Sequence, residues 1–96
     1  MFVLITYDIN TETAEGKKRL RQVAKKCLNY GQRVQNSVFE CSIDYGTFLL
    51  LKRELEKIID KKNDSLRYYN LGNKWENKVE HIGAKPGYNP EGVLVI

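Results

Sequence analysis

Histidine and cysteine are both scarce in this chain, and each scarcity removes a class of chemistry. The single histidine, His81, cannot build a His-based metal cluster. A lone histidine in a strand-like stretch reads as structural. The two cysteines, Cys27 and Cys41, are far apart and form no CxxC pair. They read as small core residues of a protein kept in a reducing compartment, not as a redox pair or metal ligands. Neither a Ser-His-Asp set nor a glycine-rich phosphate loop is present. Nothing therefore supports a side-chain nucleophile, and any hydrolysis falls to water activated by a metal. No segment approaches the roughly 20 apolar residues of a membrane span, so no membrane partner is expected. Met1 to Asp8 has an apolar stretch but neither a basic leader nor a small-residue cleavage site. It reads as a strand, not a signal peptide, and a cytoplasmic protein is expected.

What the chain does contain is enough for one small domain. It has 96 residues, 42% of them hydrophobic and 29% charged, which is globular and not disordered. A domain of this size buries about two-thirds of its unfolded surface, so a partner subunit would add useful stability. The net charge of +4 mildly favours a polyanionic partner, and its distribution says more. Lys17, Lys18, Arg19, Arg21, Lys25, Lys26 and Arg33 follow one another with no acidic residue between them. From Asp44 to Asp64, five acidic residues balance five basic ones. Basicity so localised suits a phosphate-binding face, although a solvated helix face looks the same in sequence.

Phe2-Val3-Leu4-Ile5-Thr6-Tyr7 is a β-prone run that predicts a central strand covered on more than one side. Asp8, Asn10 and Thr11 break it. Leu20, Val23, Ala24, Cys27 and Leu28 recur at helical spacing, with Glu12 and Glu15 at the positive end, so a helix is predicted over about 13–30. Gly31 then stands where a left-handed helix terminator belongs. Residues 32–43 are β-prone but interrupted by Gln35, Asn36 and Ser37, which predicts two short strands joined by a tight turn. Asp44 suits an N-cap, and Phe48, Leu51, Leu55 and Ile58 stripe a second helix over about 46–61. Strands are predicted at 65–71 and, more weakly, at 78–82. The order β-α-β-β-α-β is the ferredoxin-like split βαβ arrangement, an α/β (α+β) sandwich with helices over one face of an antiparallel sheet. Residues 1–82 then form the domain. Residues 83–96 are a turn-rich linker and an apolar end, Val93-Leu94-Val95-Ile96, expected to pair with the sheet edge of a partner subunit because a dangling β-former invites aggregation.

Two regions can carry chemistry. Asp8 ends an apolar strand, where a carboxylate needs a hydrogen bond, a charge partner or a metal; a cap on the turn into the helix is the plainer alternative. One aspartate is a meagre magnesium site, but a two-fold axis would supply a second. The segment Gln32-Arg33-Val34-Gln35-Asn36-Ser37-Val38-Phe39-Glu40 is the other region. Arg33 can clamp a phosphate and Ser37 can hydrogen-bond one. Phe39 can stack on a base or sit in the core, the commoner fate of a strand phenylalanine.

Several of these pieces together resemble one family. They are Tyr7-Asp8-Ile9, Gly16-Lys17-Lys18-Arg19-Leu20-Arg21, the stretch from Gly31 through Arg33 and Phe39 to Cys41, and Asn89-Pro90-Glu91-Gly92-Val93. The chain resembles the small universal partner of the CRISPR spacer integrase, and its tail resembles the type I-C branch. The resemblance spans nearly the whole chain. It implies a ferredoxin-like homodimer with an exchanged C-terminal strand and a site for magnesium, or another divalent cation, at Asp8. It implies cleavage of RNA or duplex DNA, with Tyr7, Asp8, Arg33 and Phe39 as the catalytic positions. Lys18, Arg19, Arg21, Lys25, Arg33 and Ser37 are the expected nucleic-acid contacts. The implied partners are a second copy, the integrase, and DNA or RNA. Two readings follow: a metal-dependent endonuclease, or a non-catalytic adaptor that holds DNA and bridges integrase dimers. A ferredoxin-like RNA-binding module outside the family would need aromatic residues on its central strands, and Phe2-Val3-Leu4-Ile5 is too aliphatic for that.

Overall fold

A computed structural model describes residues 1–71 and 78–84. In chain order the elements are β1 (Phe2–Asp8), α1 (Ala14–Leu28), β2 (Gln32–Gln35), β3 (Val38–Ser42), α2 (Tyr45–Ile58), β4 (Ser65–Asn70) and β5 (Lys78–Gly83). The strands form one antiparallel sheet in the order β2-β3-β1-β4-β5. This is the expected α/β ferredoxin-like sandwich, with β5 added outside β4. The exchanged strand expected at 93–96, and the linker residues 85–92, lie outside the described residues.

β1 is the central strand, and its side chains alternate in burial. Val3, Ile5 and Tyr7 are buried, while Phe2 and Asp8 are exposed and Leu4 and Thr6 are half-buried. One face of β1 is therefore sealed and the other only partly covered, which corrects the expectation of cover on both sides. Register extends the sealed face across the sheet, since Ile5 lies opposite Phe39 on β3 and Tyr68 on β4. Val23 and Cys27 of α1 and Phe48, Leu51 and Leu55 of α2 close over it. Both thiols are unpaired and buried there. Burial, with Cys41 nearby, pushes the Cys27 thiol up to about 12 against the pull of Arg33, and burial also raises Cys41. Neither is a thiolate at neutral pH, as the core reading requires.

Local signals set the element ends. Thr13 caps α1 by accepting from the Gly16 N–H at 3.0 Å, and Asp44 caps α2 by accepting from the Thr47 N–H at 2.7 Å. α2 stops at Ile58, short of the predicted 61, because Ile59 turns extended and Asp60 starts a separate turn. The Asp60 carboxylate captures the Lys62 N–H at 3.0 Å and the Asn63 amide at 2.8 Å, bonds that compete with helix continuation. Gly31 is not the left-handed terminator predicted; among the described residues only Gly83 has positive φ. Glycine stands at 31 because a Cβ there would collide with the Glu40 carbonyl oxygen and the Cys41 sulfur of β3.

Candidate metal and nucleic-acid site

The end of β1 carries Tyr7 and Asp8 on consecutive positions, so pleating sends them to opposite faces of the sheet. Asp8 is exposed on the face away from the helices, opposite Ser65 in the β1–β4 ladder. Tyr7 is 6% exposed and joins a column on the helix side. Its ring stacks on Phe39 with centroids 6.1 Å apart and planes at 21°. The Arg33 guanidinium sits 5.2 Å from the centre of the Phe39 ring, a cation–π distance. The tight turn between β2 and β3 folds against the same strand end. The Tyr7 N–H donates to the Ser37 carbonyl at 3.1 Å, and the Tyr7 hydroxyl makes a long bond of 3.4 Å to the Asn36 carbonyl.

Tyr7, Arg33, Phe39 and the Ser37 backbone are thus brought together, but Asp8 points to the other side of the sheet. Phe39 is 0% exposed, so it lies in the core and offers no face to a base. Burial pushes the Tyr7 phenol up, reinforced by Cys27 and opposed by Arg33; it is a protonated packing group at neutral pH.

The basic helix divides into two kinds of residue. Lys17, Lys18, Arg21 and Lys25 are exposed on α1. Lys26 pairs with Glu54 of α2 at 2.6 Å, and that bond raises its pKa. Arg19, expected at the phosphate surface, instead turns inward. Its Nε donates to Asp64 Oδ2 at 2.7 Å and its Nη2 to Asp64 Oδ1 at 3.3 Å. Asp64 leaves the guanidinium still more firmly protonated, and within this pairing the Arg19 side chain remains 18% exposed. Lys57 of α2 joins Lys25 and Asn29 along an open groove of about 430 Å³ between the helices. Lys57 was missed in sequence because its acidic neighbours hid its place beside α1.

Asp64 is the other residue that sequence reasoning missed. Its side chain is fully buried and accepts four hydrogen bonds: the two from Arg19, one from the Asn10 N–H and one from the Asp60 N–H, both at 2.9 Å. Burial alone would raise its pKa, but the bonds from Arg19, Asp60 and Asn10 outweigh it and hold the carboxyl below its ordinary range. The signal available was Arg19 itself, which falls 40° from the buried Val23 stripe on a helical wheel and so needs an internal partner.

Among the described residues no group of three or more His, Cys, Asp or Glu side chains converges on a metal position. Among the described residues, Asp8 is an accessible carboxylate at a strand end, while the two thiols are protonated and buried. That donor set suits a hydrated hard cation and not a soft one. Among the same residues, no helix is long and apolar enough to cross a membrane.

The family model described as CRISPR associated protein Cas2 matches residues 1–79. The chain is 59% identical over 95 residues to the CRISPR-associated endonuclease Cas2 of Halalkalibacterium halodurans, covering 99% of each chain. It is 54% identical over 96 residues to the CRISPR-associated endoribonuclease Cas2 of Nitratidesulfovibrio vulgaris, covering 100% of this chain and 94% of that one. Among solved structures, Streptococcus pyogenes Cas2 at pH 6.5 superposes with a TM-score of 0.71 and 61% identity, over 78% of this chain and 90% of that one. A hypothetical protein from Thermus thermophilus superposes with a TM-score of 0.65 and 32% identity, over 78% and 85%.

Proposed function

The chain belongs to the CRISPR-associated Cas2 family, and from that premise we propose that it is a magnesium-dependent endonuclease of spacer acquisition that cleaves RNA or duplex DNA as a homodimer. The observation that carries this reading is the placement of Asp8, exposed at the end of the central strand on the face the helices leave open. Two copies apposed through those faces bring two Asp8 carboxylates to one axis. A pair of carboxylates with water and phosphate oxygens is a common magnesium site. Phe2, 48% exposed on the same face, supports such an apposition by contributing apolar area. Relatives bearing endonuclease and endoribonuclease names support the reaction class.

The chain's own residues take the following roles. Asp8 supplies the hard oxygen donors for the cation. A divalent cation held there would supply Lewis-acid polarisation of a phosphoryl oxygen and a more acidic water. The Tyr7–Phe39–Arg33 column stiffens the strand end from the helix side, so Tyr7 and Phe39 act by packing. Lys18, Arg21 and Lys25 attract the phosphate backbone by charge, with Arg33 and the Ser37 turn at the sheet edge. The reading further places the protein in the cytoplasm beside the integrase, and the Asn89-Pro90-Glu91-Gly92-Val93 pattern supports the type I-C branch. The test is magnesium-dependent cleavage of single-stranded RNA and duplex DNA by wild-type and Asp8→Asn protein, each with and without chelator. Wild-type cleavage that chelator and Asp8→Asn both remove is the expected result.

One observation favours the adaptor reading as a second account. The exposed cations of α1 lie in the helix layer, while Asp8 lies on the opposite face of the sheet. Nucleic acid held on α1 of one chain therefore does not run across that chain's own Asp8. A dimer that holds DNA on its outer helices and bridges integrase dimers needs no cleavage. Spacer insertion supported equally by wild-type and Asp8→Asn protein, with cleavage by neither, selects this account.

A further inference from the structure

We propose that Asp64 is a positioning residue for Asp8, acting with Arg19 to fix the strand end that presents the Asp8 carboxylate. This rests on the reading of Asp8 as the metal-binding group.

Asp8 is bracketed by Asp64 on both sides. In the β1–β4 ladder Asp8 lies opposite Ser65, the residue bonded covalently to Asp64. Two residues further along the chain, the Asn10 N–H donates to Asp64 Oδ1 at 2.9 Å. Ile9, between them, is buried in the core. The loop is also held from the far side, because Gly16 of α1 packs so closely that a Cβ there would collide with the Asn10 carbonyl oxygen. Asp64 is itself immobilised from every direction. Its carboxylate takes the Arg19 fork and the Asp60 N–H. Its own N–H donates to the Asp60 carbonyl at 2.7 Å, and its carbonyl accepts from the Ala84 N–H at 3.0 Å. The backbone around Asp8 cannot move without disturbing bonds to one residue that ties together β1, α1, the end of α2, β4 and the end of β5.

A buried ion pair is a poor device for stability alone, since desolvation offsets much of its attraction and apolar groups of similar volume do as well. What four converging donors on one carboxylate provide is a fixed geometry. Metal ligands and reacting groups need that, because small misplacements are expensive in rate.

The test uses Asp64→Asn, which keeps shape but turns donors toward donors, and Arg19→Lys, which keeps charge but loses the fork. Both are made in the full chain and assayed as dimers below their unfolding midpoints. Manganese(II) binding is read from the electron paramagnetic resonance signal of the free ion, alongside magnesium-dependent cleavage. The expected result is binding weakened about 10-fold and cleavage lowered about 10- to 100-fold, the range seen when supporting partners of a metal site are removed. Excess magnesium should restore part of the Asp64→Asn rate and none of the Asp8→Asn rate, a split that simple loss of folded protein does not produce. Should Asp64→Asn fail to fold, Arg19→Lys carries the same test. Folded variants with wild-type manganese binding and cleavage, beside a defective Asp8→Asn, overturn the positioning role alone. Unchanged manganese binding in Asp8→Asn overturns the assignment of Asp8, and the positioning role falls with it.

Discussion

Replacing Asp64 by alanine should be among the most damaging single changes in this protein, and its effect should shrink in acid. The carboxylate is fully buried and satisfies the Asn10 and Asp60 backbone N–H groups as well as the Arg19 fork. Removing it leaves two part-buried backbone donors unpaired, at about 1 kcal/mol each near the low end for such groups, and loses a charge-assisted bond worth about 2 kcal/mol. The total is about 4 kcal/mol, in the range of about 3–5 kcal/mol for breaking a buried pair. A domain this small has about 5–15 kcal/mol in all. At about 4–8 °C per kcal/mol for its size class, the midpoint should drop by about 15–30 °C. The pH dependence follows from the direction of the shift. Burial raises the Asp64 carboxyl, but its hydrogen bonds overcompensate and hold it below the ordinary value. Its stabilisation is therefore fully present above the unfolded-state pKa of about 3.9 and is lost as pH falls through the lower folded-state value. Thermal melts followed by circular dichroism from pH 7 down to pH 2 should show the gap between wild type and Asp64→Ala wide at neutral pH and narrowing in acid. A gap below about 1 kcal/mol at pH 7, or one that does not change with pH, would refute this account of Asp64.

Other consequences are simpler to check. Replacing Lys18, Arg21 and Lys25 by alanine should weaken duplex DNA binding and flatten the log–log salt dependence by up to about 0.9 per lost phosphate contact. Arg19→Ala should instead leave that slope unchanged while lowering the unfolding midpoint; filter binding at several salt concentrations separates the two. Phe39→Ala should destabilise the fold by about 3–5 kcal/mol, as expected of a fully buried aromatic, so any loss of cleavage should track loss of folded protein in parallel denaturation curves. The Cys27 thiol, buried and pushed up to about 12, should resist a thiol reagent at pH 8 until denaturant is added.

Much of the fold was legible because its signals are local. The apolar run of β1, the 3.6-residue stripes of α1 and α2, the Asp44 cap and the polar break at Gln35-Asn36-Ser37 each need only a few neighbouring residues to be read. Several other features depend on residues distant in the chain. Gly31 was assigned a backbone role typical of helix ends, whereas its requirement comes from β3 passing close by. The pairing of Arg19 is not legible from its neighbours, because its partner Asp64 lies 45 residues away across a turn whose geometry Asp60 sets. Tyr7 and Asp8 were grouped by family resemblance, yet the two-residue period of a strand already places them on opposite faces. Phe39 fits either base stacking or the core from sequence alone, and its burial decides for the core.

The central claim is that one site is assembled from the Asp8 carboxylates of two copies. It is tested most directly by co-refolding wild-type and Asp8→Asn chains in varying ratio and measuring magnesium-dependent cleavage at fixed total protein. If both carboxylates are needed, mixed dimers are inactive and the rate falls as the square of the wild-type fraction. A rate that falls in simple proportion to that fraction, or that does not fall at all, contradicts the shared site.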